Sequence, residues 1–171
     1  MKRFALLLAF ALSACGLQPI YAGGGSGAIA RGLGDITVAA IPGKAGWLMH
    51  NALTDRLGSG TSGTARFRLD VLLNDKIEGQ GLLSNDTIGR ERRSLRARYQ
   101  LVDLASGGIV LDATAGSDVS IDVVSSEYAT VAGENTALEN LSKGVADRII
   151  TGLALYMRAP KADPPKPSIT P

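Results

Sequence analysis

The stretch SLRARYQLVDL, Ser94–Leu104, decides how the chain reads. Leu95, Ala97, Tyr99 and Leu101 alternate with Arg96, Arg98 and Gln100. A period of two puts the first set on one face of a strand and the second set on the other. The segment therefore predicts a strand with one apolar side and one charged side.

The same period flanks it. In ARFRLDVLLND, Ala65–Asp75, the residues Phe67, Leu69, Val71 and Leu73 share a face, opposite Arg66, Arg68, Asp70 and Asn74. In IVLDATAGSDVSIDV, Ile109–Val123, the residues Ile109, Leu111, Ala113 and Ala115 line one face and Asp112, Thr114 and Asp118 the other. Ser106-Gly107-Gly108 supplies a compact turn between the last two strands. Three such strands build a sheet that is greasy on one side and charged on the other.

Upstream, DITVAAI (Asp35–Ile41) is short, β-branched and stopped by Pro42-Gly43, which predicts a fourth strand. Trp47–Leu57 predicts a short helix. Met49, Leu53 and Leu57 recur every four residues and Gly58 is placed to cap its C-terminus. Ser59–Thr64 reads as a loop. Downstream, Glu127–Met157 predicts a long helix with an apolar stripe through Leu138, Leu141, Val145, Ile149, Gly152 and Tyr156. Gly133, Gly144 and Gly152 lower its propensity, so it needs a surface to pack on. The greasy face of the sheet is the large apolar surface available. The expected fold is α+β: a two-layer sandwich with two helices on one face of a four-stranded, mostly antiparallel sheet.

The ends have a different character. MKRFALLLAFALSACG opens with Lys2 and Arg3, then a nine-residue apolar run from Phe4 to Leu12, then the small residues Ser13 and Ala14. That is secretory signal architecture. Nine helical residues cover about 14 Å, too short for a hydrocarbon core of roughly 30 Å. Leu12-Ser-Ala-Cys15 resembles the lipobox of bacterial lipoproteins. The resemblance implies a thioether-linked diacylglycerol on Cys15, cleavage before it, and an acyl chain such as palmitate on the new amine. Residues 1–14 are then a signal peptide. Residues 15–34 are a lipidated N-terminus with a tether containing GGGSG at Gly23–Gly27. Residues 35–158 are the folded domain. In residues 159–171, five prolines between Pro160 and Pro171 predict a disordered tail.

Charge and composition exclude several classes. The chain carries 18 basic and 16 acidic side chains, and removing Lys2 and Arg3 with the signal leaves the two in balance. No global charge argues for nucleic acid. Lipid on the single cysteine leaves no thiol for a disulfide, so the domain is held by its core or by a partner. One histidine and no spare cysteine make zinc and haem sites improbable, and no cofactor is expected. No catalytic set emerges. His50 and Asp55 are five apart on a helix and off-face. Asp118 and Asp122 sit on the polar face of one strand, where a carboxylate needs no special purpose. A phosphate-binding G-x-x-x-x-G-K-[ST] is absent from the sequence.

The densest local feature is RERRSLRAR, Arg90–Arg98, with five arginines and one glutamate. Arg96 and Arg98 share a strand face, as do Arg66 and Arg68 on the preceding strand. If the strands pair, four guanidinium groups share one surface suited to phosphate or carboxylate. The rival is a solvated edge on which Asp70 and Asp112 pair with the arginines internally.

CGLQPIY (Cys15–Tyr21), RARYQLVDL (Arg96–Leu104), EYATV (Glu127–Val131) and LALYM (Leu153–Met157) together resemble the alphaproteobacterial type of the LptE family of lipopolysaccharide-assembly lipoproteins. The resemblance implies an outer-membrane lipoprotein on the periplasmic side. It implies a partner, the LptD β-barrel translocon, which it plugs and helps to assemble, and contact with lipopolysaccharide on its way to the outer leaflet. It implies no covalent chemistry. The candidate contacts are Arg66, Arg68, Arg96 and Arg98, and the lipidation site is Cys15. Two other classes remain open: an accessory lipoprotein of another envelope lipid-transport system, and a cell-wall-associated structural lipoprotein.

Overall fold

The computed structural model describes residues 28–58, 65–82 and 88–158. The signal sequence, Cys15, the GGGSG segment, the Ser59–Thr64 loop and the proline-rich residues 159–171 lie outside the described residues. In chain order the elements are α1 (Ala28–Gly34), β1 (Ile36–Val38), α2 (Gly43–Leu57), β2 (Phe67–Leu82), β3 (Ile88–Asp103), β4 (Ile109–Asp122) and α3 (Glu127–Arg158).

The four strands form one sheet in sequence order. The first pair, β1 and β2, is parallel and matches Ile36 with Phe67 and Val38 with Leu69. The β2–β3 and β3–β4 pairs are antiparallel, with Leu69 opposite Leu101 and Leu101 opposite Leu111. This register places the alternating apolar residues of all three long strands on one face, as their parity predicts. Turn chemistry supports it: Gly107 takes φ +70° between β3 and β4, in the left-handed region that favours glycine. Asp103 accepts the amide of Ala105 in the same turn.

The long helices cover that face. Leu138, Leu141, Val145, Ile149 and Leu153 of α3 are buried with Leu69, Leu95, Tyr99 and Leu101 of the sheet. Met49, Leu53 and Leu57 of α2 join the same core. The stripe read from sequence is thus the contact surface, and α3 gains from packing what its glycines withhold in propensity. Gly152 is part of the fit: a Cβ there would collide with the Tyr99 hydroxyl. The helices α2 and α3 run in the same direction. Lys44 bonds Asn135 near one end and Arg56 pairs with Asp147 near the other, each contact spanning 91 residues.

The layers are as expected, with three differences. First, Ala28–Gly34 reads as linker, yet it forms α1 and buries Leu33 against the core. Its glycines hide a helix that tertiary contact stabilises. Second, α2 begins at Gly43, four residues before Trp47, where the sequence places its start; Gly43 takes φ +80° directly after Pro42. Third, Ile109 is exposed at 56% instead of lining the core. A register shift at Leu101/Val102 pairs Val102 with Ile109 and leaves Val110 as the extra residue, half-buried against the core. One inserted residue of this kind exchanges the faces of its neighbours on either side.

The sheet outruns its cover. Phe67 and Leu69 of β2 are buried, whereas Lys76, Ile77, Glu78 and Gly79 farther along the strand are exposed. At the boundary, Arg93 of β3 is 8% exposed and grips Asp75 of β2 with two hydrogen bonds, 2.9 and 2.6 Å. A third bond of 2.8 Å runs from Arg93 Nη1 to the carbonyl of Glu134 on α3. One side chain therefore ties two strands and the helix together where the apolar core ends. The hydrogen-bonded carboxylate of Asp75 raises the Arg93 pKa further above its ordinary value.

Candidate functional site

The open face of the sheet carries Arg68, Arg96 and Arg98 of the candidate contacts. Register sets its rows. Arg68 lies opposite Val102, and Asp70 opposite Gln100, which in turn faces Asp112. Leu72–Arg98–Thr114 forms the next row and Asn74–Arg96–Gly116 the one after. Arg68, Arg96 and Arg98 therefore share one face but not one patch, whereas Arg66 precedes β2 and lies over the ring of Phe67, which the core buries. A row of Asp70, Gln100 and Asp112 separates Arg68 from Arg96 and Arg98.

Those carboxylates are engaged. Arg98 Nε and Nη2 donate to the two oxygens of Asp112 at 3.0 and 2.6 Å, and Gln100 Nε2 donates to the same carboxylate at 2.8 Å. The Arg98 guanidinium, then the Gln100 amide, hold the Asp112 carboxyl down at about 2. Arg68 forms a two-bond fork with Asp70 at 2.8 and 2.9 Å, two residues along its own strand. Hydrogen bonding to these aspartates raises both Arg98 and Arg68 above the usual guanidinium value. Arg66 places its guanidinium carbon 4.9 Å from the centre of the Phe67 ring, a cation–π distance.

Arg96 is held differently. Its nearest carboxylate oxygen, on Asp118, is 3.8 Å away, too long for a hydrogen bond, and its firm contact is a 3.1 Å bond to the carbonyl of Ser117. The side chain lies across Gly116, where any Cβ would strike it. From the opposite layer Arg148 of α3 reaches the carbonyl of Gly116. A shallow depression forms here, lined by Leu72, Asn74, Arg96, Arg98, Thr114 and Arg148 among others. Leu72 is 72% exposed at its wall. Cationic forks beside an exposed aliphatic side chain can meet an anionic group attached to an apolar one.

Two participants escaped the sequence reading. Arg148 belongs to a helix whose apolar stripe dominates its pattern, and its reach to Gly116 has no local signal. Arg93 had one: it shares the parity of Leu95, as Asp75 shares that of Leu73, so both point toward the helices. Among the described residues no group of three or more histidine, cysteine or acidic side chains is arranged to hold a metal ion.

A family model described as LptE, lipopolysaccharide-assembly, matches residues 33–153, which spans the fold from α1 to the last turns of α3. The chain belongs to the LptE family. LptE proteins are a non-enzymatic lipoprotein family concerned with lipopolysaccharide assembly. Solved structures share the fold. A protein from Caulobacter crescentus described as a lipoprotein aligns with TM-score 0.65 at 20% identity, covering 77% of this chain and 97% of that one. Rare lipoprotein B from Shewanella oneidensis aligns with TM-score 0.55 at 9% identity, over 70% and 92% of the two chains. A minor lipoprotein from Acinetobacter baumannii gives TM-score 0.51 at 18% identity, over 75% and 94%. No curated protein matches the chain significantly in sequence. At these identities the structures speak for the fold, and the family model carries the assignment to lipopolysaccharide assembly.

Proposed function

We propose that this LptE-family protein is anchored in the outer membrane by lipid on Cys15 and seats inside an LptD-type β-barrel. There its open sheet face meets lipopolysaccharide in transit. The observation that carries the reading is the one-sided sheet. Helices cover one face, and the other is a lattice of arginine–aspartate pairs exposed along its whole length. Large barrels have polar interiors, and a polar, charge-alternating face can lie against such a wall without burying an unpaired ion.

Within that face the cationic contact falls on Arg96 and Arg98, with Arg148 alongside, rather than on Arg66 and Arg68. Arg96 is less committed than Arg98, which Asp112 holds in a two-bond fork. Phosphates and inner saccharide carboxylates fit the Arg96 fork, and exposed Leu72 offers an apolar neighbour to the acyl portion. Catalysis has no part in this role.

Purification of the tagged full chain from membranes tests it. A barrel of the LptD type should co-purify with the wild type. Cys15→Ser should move the protein into the soluble or uncleaved fraction, because anchoring needs multiple acyl chains. An Arg96→Ala, Arg98→Ala double variant should keep the barrel and its circular dichroism. It should bind purified lipopolysaccharide more weakly and with less dependence on salt. An unmodified Met1 terminus in the wild-type protein, or subunits of another transport system in place of the barrel, would overturn the reading.

A further inference from the structure

Gly116 sits inside β4 without a backbone reason to be glycine. Among the described glycines the left-handed region is taken by Gly43, Gly58 and Gly107, and Gly116 is not one of them. Glycine in a strand interior costs stability and commonly marks a close approach. Here the approach comes from Arg96, its cross-strand neighbour on β3. A Cβ at position 116 would stand 2.8 Å from Arg96 Nη1 and 3.0 Å from Nε.

The other arginines of β3 that share this face meet side chains. Arg90 lies opposite Asp122, Arg92 opposite Ser120 and Arg98 opposite Thr114. Arg90 and Arg98 both hydrogen-bond aspartates of β4. Arg96 instead crosses Gly116 to the Ser117 carbonyl and stays 3.8 Å from the nearest oxygen of Asp118. The difference matters for charge. A carboxylate both orients a guanidinium and neutralises it, whereas a carbonyl orients it and leaves its full charge. The carbonyl of Gly116 holds Arg148 of α3 in the same way.

We propose that Gly116 is a positioning residue for Arg96. Its missing side chain lets the guanidinium lie across β4 on a neutral acceptor, with its remaining donors and its charge available to a phosphate or carboxylate. A methyl group at position 116 would lift Arg96 off that path, where the Asp118 carboxylate, already 3.8 Å away, competes for it. Gly116 thus decides between an internal ion pair and an external anion. The inference rests on the reading of Arg96 as a lipopolysaccharide contact, and it names the residue that keeps Arg96 fit for that contact.

Gly116→Ala in the full chain tests it. The collision is with the end of a flexible side chain, so Arg96 should move and the strand should not. The carbonyl that Arg148 uses is unchanged by the substitution. Circular dichroism and the urea midpoint should therefore match wild type. The Nε–Hε resonance of Arg96 should shift. The dissociation constant for purified lipopolysaccharide should rise roughly 2- to 10-fold, the loss of one net hydrogen bond, and depend less on salt. In an Arg96→Ala background the same substitution should change the affinity no further, a result that a merely structural role would not give. An unmoved Arg96 resonance, or an equal loss with and without Arg96, would overturn the proposal. So would an unaffected Gly116→Ala beside a weakened Arg96→Ala, with the lipopolysaccharide contact left standing. An Arg96→Ala affinity equal to that of wild type would overturn that contact and the proposal together.

Discussion

The two faces of the sheet carry the same ion pair in opposite surroundings. On the helix side, the Arg93 and Asp75 side chains are 10% and 24% exposed. On the open side, Arg98 and Asp112 are 60% and 37% exposed, with the same two-bond geometry. Distance alone would rank them equal, since the shortest contact is 2.6 Å in both. Solvent separates them. Water screens the open pair and hydrates whichever partner is left alone, whereas loss of Arg93 strands a carboxylate and a helix carbonyl near the core boundary. The inner pair thus acts as a structural tie and the outer pairs as a polar coat.

The largest effect should come from neither pair. Ile149→Ala, at a fully buried position of α3, should cost about 2–4 kcal/mol in urea unfolding, and Leu141→Ala a similar amount. A cost near zero at both would mean that the helix layer is not what distinguishes the two faces. Arg93→Ala should come next, at about 1–3 kcal/mol, through the unpaired groups it leaves. Changing both partners, Arg93→Met with Asp75→Leu, should recover most of that loss, because a packed apolar pair can replace a buried ionic one. If the double change proved worse than the single one, the Arg93 tie would be worth more than its removal of orphans.

The smallest effect belongs to Arg98→Ala, which should leave the unfolding midpoint near that of wild type. Its signature is a titration. The Asp112 carboxyl should rise from about 2 toward the ordinary aspartate value of 3.8, read by NMR. The depressed folded value sets the sign. The stabilisation from this pair is fully present above the ordinary aspartate pKa and is lost as pH falls from about 4 through 2. Arg98→Ala should weaken that pH dependence and leave the share due to Gln100. An Asp112 titration unmoved by the substitution would show that Gln100 alone sets it.

Much of this arrangement was legible in alternation. Leu95, Ala97, Tyr99 and Leu101 announced the inner face, and the α3 stripe announced its cover, because both reflect periods that burial enforces. Features set by a single residue were not. The bulge at Val110 moved Ile109 outward, and no local signal in IVLDAT marks an unpaired residue. Helix α1 hid in a glycine-rich stretch because tertiary contact through Leu33, not propensity, stabilises it. At the candidate site, parity gives Arg68, Arg96 and Arg98 one face, while Arg66, ahead of the first residue of β2, lies over Phe67. The partition by Asp70 and Asp112 depends on register, which alternation leaves free. Arg93 was readable in principle, as a charged residue at an apolar parity, and the density of the surrounding arginines masked it.

The brevity of β1 bears on mechanics. Any pull arriving from the N-terminal side enters the domain through α1 and then a strand of three residues. That strand is held by the parallel pairing of Ile36–Val38 with Phe67–Leu69 and by a few flanking bonds. Asp35 accepts the amides of Arg66 and Phe67, and the amide of Ala39 donates to Leu69. Leu33 and Ile36 add burial in the core, and the β2–β3–β4 meander is joined by far longer ladders. Tension applied ahead of α1 should therefore open the β1 pairing before the meander, much as weak segments open first in native exchange. The three-residue β1 pairing is in this sense the weak link of the sheet, and the long strands can keep their arrangement after it opens.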